Sequence, residues 1–242
     1  MRYIMKALII DTETTGLDYK KDSIIEIAAV LADLDNQMIL AQRASLIYAV
    51  TNQESEKITG ITQDMLDYVK NSQDDPFNQI KIMSEHADCI IAHNAEFDKN
   101  FVEFLGYKFK NKKLESLEWV CSCYDIIYDR ELENKKLSTI ANAYSVNNSE
   151  AHRALTDVQM LLNILYKLSN INEQLTSILL DKKKPEYKII SLAPFDKKNE
   201  VKKAGFRWDG IKKHWFKKIR AKDDDEFINL VLGFNFKVKV LE

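Results

Sequence analysis

Cysteine is scarce in this chain: 242 residues hold three, Cys89, Cys121 and Cys123. An odd count, with two of the three only two residues apart, does not make a disulfide framework. A zinc site on Cys121 and Cys123 would need further ligands nearby, and the neighbouring sequence offers none. Six glycines and three prolines exclude collagen-like and linker-rich architectures. Apolar runs such as residues 161–168 are too short and broken to cross a membrane. Residues 1–11 carry no leader of charged, apolar and small segments, so a cytoplasmic protein without membrane partners is expected.

What is present is a globular composition, 45% hydrophobic, with a net charge of −2. That total hides an asymmetry. Residues 1–180 carry 18 Lys and Arg against 27 Asp and Glu, a net of −9, whereas residues 181–242 carry 17 against 10, a net of +7. An acidic body with a basic extension predicts two units, 1–180 and 186–242, with different electrostatic tasks. The break falls at 181–187, where charge and Pro185 end a helix.

The apolar run at 5–10 reads as a buried strand ending at Asp11, and 24–33 with 38–48 reads as a hairpin around Asp35 and Asn36. Residues 88–92 and 118–122 read as further short strands. Helices are predicted at 53–57, 63–70 (with Thr62 as N-cap), 77–85, 96–105, 124–129, 137–144, 154–168 and 173–180. Strands first, then strand and helix in alternation, predict an α/β fold with a mixed sheet covered by helices. In the basic unit, strands are predicted at 188–192, 215–219 and 234–241, with a helix at 197–204. About 55 residues make a small α+β domain with a thin core.

Three carboxylate-bearing segments stand out. Asp11-Thr12-Glu13 ends the first strand, where residues i and i+2 point to one face, so two carboxylates converge. Crowded carboxylates repel unless a cation sits between them, and a hard divalent metal satisfies them with oxygen ligands. Solvated acids at a strand end are the ordinary alternative for this pair alone. His93-Asn94-Ala95-Glu96-Phe97-Asp98 follows the strand at 88–92 and enters a helix. Ala151 to Asp157 heads the helix at 154–168. His152 and Asp157 lie five apart, about 140° around a regular helix. They can share a site only if His152 precedes the helix or sits in a loosened first turn, for which 147–149 (Asn-Asn-Ser) would supply the loop.

These three segments resemble the motifs of the DnaQ-like 3′–5′ exonucleases of the DEDDh group, which include the proofreading epsilon subunit of bacterial DNA polymerase III. The resemblance covers about residues 4–168, and three ordered motifs are far more specific than any one of them. Residues 60–62 and 119–122 fall where the family often has short signatures. The resemblance implies a ribonuclease H-like mixed five-stranded sheet flanked by helices, and metal-dependent release of 5′-mononucleotides from a 3′ end. It implies two divalent cations, Mg²⁺ or Mn²⁺, held by Asp11, Glu13 and Asp157 with Asp98 completing the set. It implies His152 as the general base, since histidine ordinarily titrates near neutrality. The position four before Asp157 is Arg153 rather than tyrosine, which favours the histidine subgroup. Substrate contacts would come from Thr12, Thr14, Asn94 and Phe97, with Leu17 and Ile61 as apolar contacts to the terminal nucleotide. Leu17, Ile61 and Phe97 are equally the kind of residue found in a core. His93 and Cys121 read as structural. Nucleic acid is the expected partner, with single-stranded DNA favoured over RNA, together with a polymerase or other DNA-processing protein. A 3′–5′ exoribonuclease remains an alternative that the motifs do not separate from a DNA enzyme, and a silent binding subunit is a second, against which the presence of all four acids and His152 argues.

The basic extension resembles short Pro-Phe, Lys, Gly, Trp-Asp, Lys, Trp modules appended to plasmid- and phage-type DNA-processing proteins. Its lysines interleave with Phe206, Trp208, Trp215 and Phe216. Such a pattern suits a single-stranded nucleic-acid surface, with charge for phosphates and rings for bases. The tryptophans are expected in the core and the basic face in contact with nucleic acid.

Overall fold

The computed structural model describes residues 4–110, 116–147, 152–210 and 212–241. The chain divides into two compact units, Met1–Thr176 and Ser177–Glu242.

In the first unit, β1 (Lys6–Thr14), β2 (Ile24–Asp33) and β3 (Met38–Leu46) form an antiparallel meander. All ten residues of β2 are buried, so it is an interior strand covered on both faces. Its hairpin turn is closed by Asp33, whose Oδ1 accepts from Asn36 N–H at 2.9 Å, and by Gln37 at φ 53°. Helices α1 (Gln53–Thr59), α2 (Gln63–Tyr68) and α3 (Pro76–Ser84) follow. Asn52, Thr62 and Asp75 cap them, each side chain accepting an N–H of the first turn. Then come β4 (Cys89–Ala92), α4 (Glu96–Phe104), β5 (Trp119–Cys121), α5 (Leu137–Ala143), α6 (Ala154–Lys167) and α7 (Ile171–Asp181), within which the division between the units falls.

Strands β4 and β5 run parallel to β1, giving the order β3-β2-β1-β4-β5. This mixed five-stranded sheet flanked by helices is the ribonuclease H-like arrangement. One face carries Leu8, Ile10, Ile27, Ala29 and Ile90 against Phe77 and Ile80 of α3 and Phe101 and Val102 of α4. Helix α6 packs on β1, β2 and β3 and against α5. Its Val158, Leu161, Leu162 and Leu165 are buried at three- and four-residue spacing. The expected helix at 124–129 is instead a turn. Asp125 Oδ2 accepts from Cys121 N–H at 2.9 Å and its own N–H returns to Cys121 O at 2.8 Å, which closes one loop and goes no further. Among the described residues, no helix is long and apolar enough to cross a membrane.

The second unit holds β6 (Glu186–Ser191), a 3₁₀ turn leading into α8 (Lys198–Lys203), β7 (Arg207–Asp209), β8 (His214–Arg220), α9 (Asp224–Leu232) and β9 (Val238–Leu241). The sheet order is β7-β8-β6-β9 with every pairing antiparallel. Four side chains form its buried centre: Ile189, Val201, Phe206 and Ile219. Gly205, at φ +82° with Lys217 Nζ 3.3 Å from where a Cβ would sit, turns the chain from α8 into β7. Sequence periodicity misses α9, although Asp223 caps it through Glu226 N–H and three acids fill its first turn. The expected strand at 234–241 shrinks to its last four residues, because Phe234 and Phe236 turn inward beside Phe206.

Candidate active site

Strand β1 continues past its apolar run and carries Asp11, Thr12 and Glu13 into a cleft of about 710 Å³. Asp11 and Glu13 share one face of the strand. Thr12 is turned to Asp98 in the first turn of α4, and its N–H (3.0 Å) and Oγ1 (2.7 Å) both donate to Asp98 Oδ1. Asp98 is thereby fixed while almost fully buried. The bend after β1 depends on Gly16, where a Cβ would fall 2.5 Å from the Asp22 carboxylate. Asp22 Oδ2 accepts from Asp18 N–H at 2.8 Å and so organises that loop.

His152 has φ +74° and stands before α6, whose N-cap is Arg153. The left-handed residue resolves the five-residue spacing, since it turns the chain back over the first turn of α6. There the His152 backbone N–H donates to Asp157 Oδ2 at 3.1 Å. Of the expected connecting loop at 147–149, Asn147 alone lies among the described residues. Glu13, His152 and Asp157 each bring a possible ligand atom within 4.8 Å of the others.

The electrostatics follow from crowding acids in a place water reaches poorly. Burial, then the neighbouring Asp98, Glu13, Asp157 and Glu26, raises Asp11 well above the usual carboxylate range. Burial and Asp157 push Glu13 to about 8, against a small opposing pull from Arg153. Asp98 is pushed to about 7 by burial, even though its bonds to Thr12 act the other way. Asp157 is raised by burial as well, opposed by the His152 N–H. Four oxygen-rich side chains that give up their protons reluctantly are a donor set suited to hard divalent cations. Asp11, Glu13, Asp98 and Asp157 could hold them, with His152 at the rim.

The substrate residues expected from sequence divide. Thr12 and Phe97 line the cleft. Ile61 does not: it is fully buried, packed with Ile25 and Leu66, and offers no surface to a ligand, so its expected substrate role is withdrawn. Thr14, Leu17 and Asn94 are not among the lining residues. Thr14 Oγ1 donates to Gly16 O at 2.6 Å, Leu17 is 86% exposed beside the cleft's strand, and Asn94 makes the turn after β4 at φ 64°. His93 lines the cleft with Nδ1 2.9 Å from Ser122 Oγ, and burial lowers its pKa, which holds a neutral ring in place. Burial pushes the Cys121 thiol up, which suits packing rather than reactivity.

Sequence reasoning missed Glu26. It is a buried acid near the start of β2, directly opposite Glu13. Its carboxylate accepts from Arg153 Nε (3.1 Å) and Nη2 (2.7 Å) and from Ala154 N–H (2.8 Å). Helix α6 has no side-chain cap of its own, so Glu26 caps it from the sheet. A charge flanked by isoleucines in a run of apolar residues was the available signal. Lys135, Lys136 and Ser138 also line the cleft, from a segment with no motif to mark it.

The exonuclease family RNase_T matches residues 8–165, the stretch that holds all of these side chains. The chain belongs to the RNase_T exonuclease family. A PolC-type DNA polymerase III of Caldanaerobacter subterraneus is 28% identical over 209 residues, which cover 76% of this chain and 14% of that protein. The PolC-type polymerase of Listeria innocua is 31% identical over 170 residues, 66% of this chain and 11% of the relative. The chain therefore spans about a seventh or less of the curated relatives it matches. Among solved structures, E. coli Exonuclease I in complex with a dT13 oligonucleotide superposes with a TM-score of 0.54 at 15% identity, covering 78% of this chain and 48% of that one. At those identities the likeness shows the fold, that of the DnaQ-like exonucleases.

Proposed function

We propose that this exonuclease-family chain hydrolyses phosphodiester bonds from the 3′ end of a nucleic acid, single-stranded DNA first, and releases 5′-mononucleotides. The observation that carries the proposal is the convergence of Asp11, Glu13, Asp98, Asp157 and His152 on one cleft. Asp11, Glu13 and Asp157 would hold two divalent cations, Mg²⁺ or Mn²⁺, with Asp98 completing the set. Bound there, such ions would offset the charge of the attacking and leaving oxygens of an in-line displacement.

The chain's own groups do the rest. His152 is exposed, with a ring nitrogen close to the Glu13 and Asp157 carboxylates, and accepts the proton of the attacking water. Thr12 keeps Asp98 aimed into the cleft. Phe97 and Met160 give the terminal nucleoside an apolar wall. The likeness to a stretch of PolC-type polymerases favours DNA and a DNA-processing assembly as the setting.

Oligonucleotides of one sequence, made as single-stranded DNA, duplex DNA and RNA with a label at either end, test this reading. The expected result is early loss of a 3′ label and a descending ladder from a 5′ label, fastest on single-stranded DNA. Faster RNA hydrolysis would reassign the substrate, and early loss of the 5′ label would overturn the polarity.

A further inference from the structure

The sheet of the second unit has two unlike faces. Helices α8 and α9 both pack on the Ile189 face, through Val201, Phe227 and Val231. Trp215 packs there too, with Trp208 beside it at 5.5 Å between ring centroids. The strand registers place a different set on the other face: Lys188 and Ile190 of β6, Arg207 of β7, Phe216 and Lys218 of β8, and Lys239 of β9. Among the described residues, the core on which α8 and α9 pack includes none of these side chains. Phe216 sits among the cations, with Lys188 Nζ 4.4 Å and Arg207 Cζ 5.1 Å from its ring centroid.

This face is costly as a piece of pure structure. Lys188 lies directly opposite Lys218, and like charges directly opposed on a sheet are destabilising. Glu186, at the far end of β6, compensates only locally: it pairs with Lys218 at 3.3 Å and with Arg220. Around the Phe216 ring this face presents Lys188 and Arg207, with Asp209 further along β7 on the same face. Cations spaced along a strand sheet around one aromatic ring match the repeat of a single-stranded polynucleotide, which presents a phosphate and a base together.

We propose that this helix-free face of the second unit binds a single-stranded polynucleotide, with Lys188 and Lys239 on phosphates and the Phe216 ring under a base. This rests on the nuclease reading and extends it by naming a second place, on the second unit, where the chain grips its strand. Charge complementarity carries it: the +7 segment supplies the attraction that a −9 segment lined with carboxylates does not.

The test is binding of a fluorescent dT oligonucleotide to the full chain in EDTA, where hydrolysis cannot contribute. Failure here is therefore separate from failure of the exonuclease assay. Phe216→Leu keeps apolar bulk and removes the stacking ring; it should weaken binding about 5-fold or more. Lys188→Gln with Lys239→Gln should weaken binding on the order of tenfold and lower the slope of log K against log salt by about one to one and a half. Lys202→Gln with Lys203→Gln, exposed on α8 across the sheet, should leave both quantities unchanged. Circular dichroism melting checks that each variant stays folded. Unchanged binding by the Phe216 and Lys188/Lys239 variants, or an equal loss in the α8 control, would overturn the assignment. So would tighter binding of duplex than of single strand.

Discussion

Glu13 and Asp98 hold their protons to about pH 8 and about pH 7, because burial penalises their charged forms. In the unfolded chain both ionise near their ordinary values of 4.5 and 3.8. Between those values and about 8 the folded protein binds more protons than the unfolded one, so this site's contribution to stability falls as pH rises. A divalent cation replaces the protons and removes the penalty. Added Mn²⁺ should therefore raise the melting temperature most near pH 8 and least near pH 5.5; a shift independent of pH would contradict the assignment of these acids as ligands. His152 acts differently. Its backbone N–H, not its ring, holds Asp157. His152→Ala should therefore keep metal-induced stabilisation while lowering kcat about 100-fold or more. Near wild-type turnover would remove it as the base. Convergence of Asp11 and Glu13 was legible from period-two geometry on β1, and the 140° arithmetic required His152 to precede α6 or sit in a loosened first turn; its left-handed conformation was not legible. Burial of Ile61 was not legible, since an apolar residue reads alike as wall or as core.

At the scale of elements, the site depends on how α6 meets the sheet. Glu26 accepts the first N–H of the helix and pairs with Arg153, whose side chain is 41% exposed. The pair also offsets the repulsion between Glu26 and Glu13, which face each other across β1 and β2. Because Arg153 is partly solvated, Glu26→Gln should cost about 1–2 kcal/mol, below the range for fully buried pairs. Glu26→Ala should cost roughly 1 kcal/mol more, since it also uncaps the helix. Both should lower kcat more than they raise KM, since Asp157 and His152 ride on α6. Melting curves with steady-state kinetics check this, and an unchanged melting temperature and kcat for Glu26→Ala would refute the positioning role. The strongly periodic elements of the first unit were legible to within a few residues. The turn at 124–129 and helix α9 were not. A side-chain bond from Asp125 ended the first, and the pattern of the second was hidden beside an acidic run.

Over the whole molecule, the net charge of −2 is the difference between two segments of opposite sign, and the three-dimensional division places the boundary after Thr176. The acidic unit has the exonuclease-family fold, with its carboxylates gathered in one cleft. The basic unit spends a thin four-residue centre on holding a cationic sheet. The charge split was legible from composition, but the sorting of aromatics onto two faces of that sheet depended on strand register, which the sequence pattern alone left open. The central claim is that the gathered acids hydrolyse phosphodiesters with a divalent cation. It is tested most directly by following mononucleotide release from single-stranded DNA by the wild-type chain and by Asp11→Ala, each with Mg²⁺ or Mn²⁺ and with EDTA. The account predicts 5′-mononucleotides from the wild type with metal, and none from the wild type in EDTA or from Asp11→Ala. Release by Asp11→Ala at the wild-type rate, or no release by the folded wild type with either metal, would contradict it.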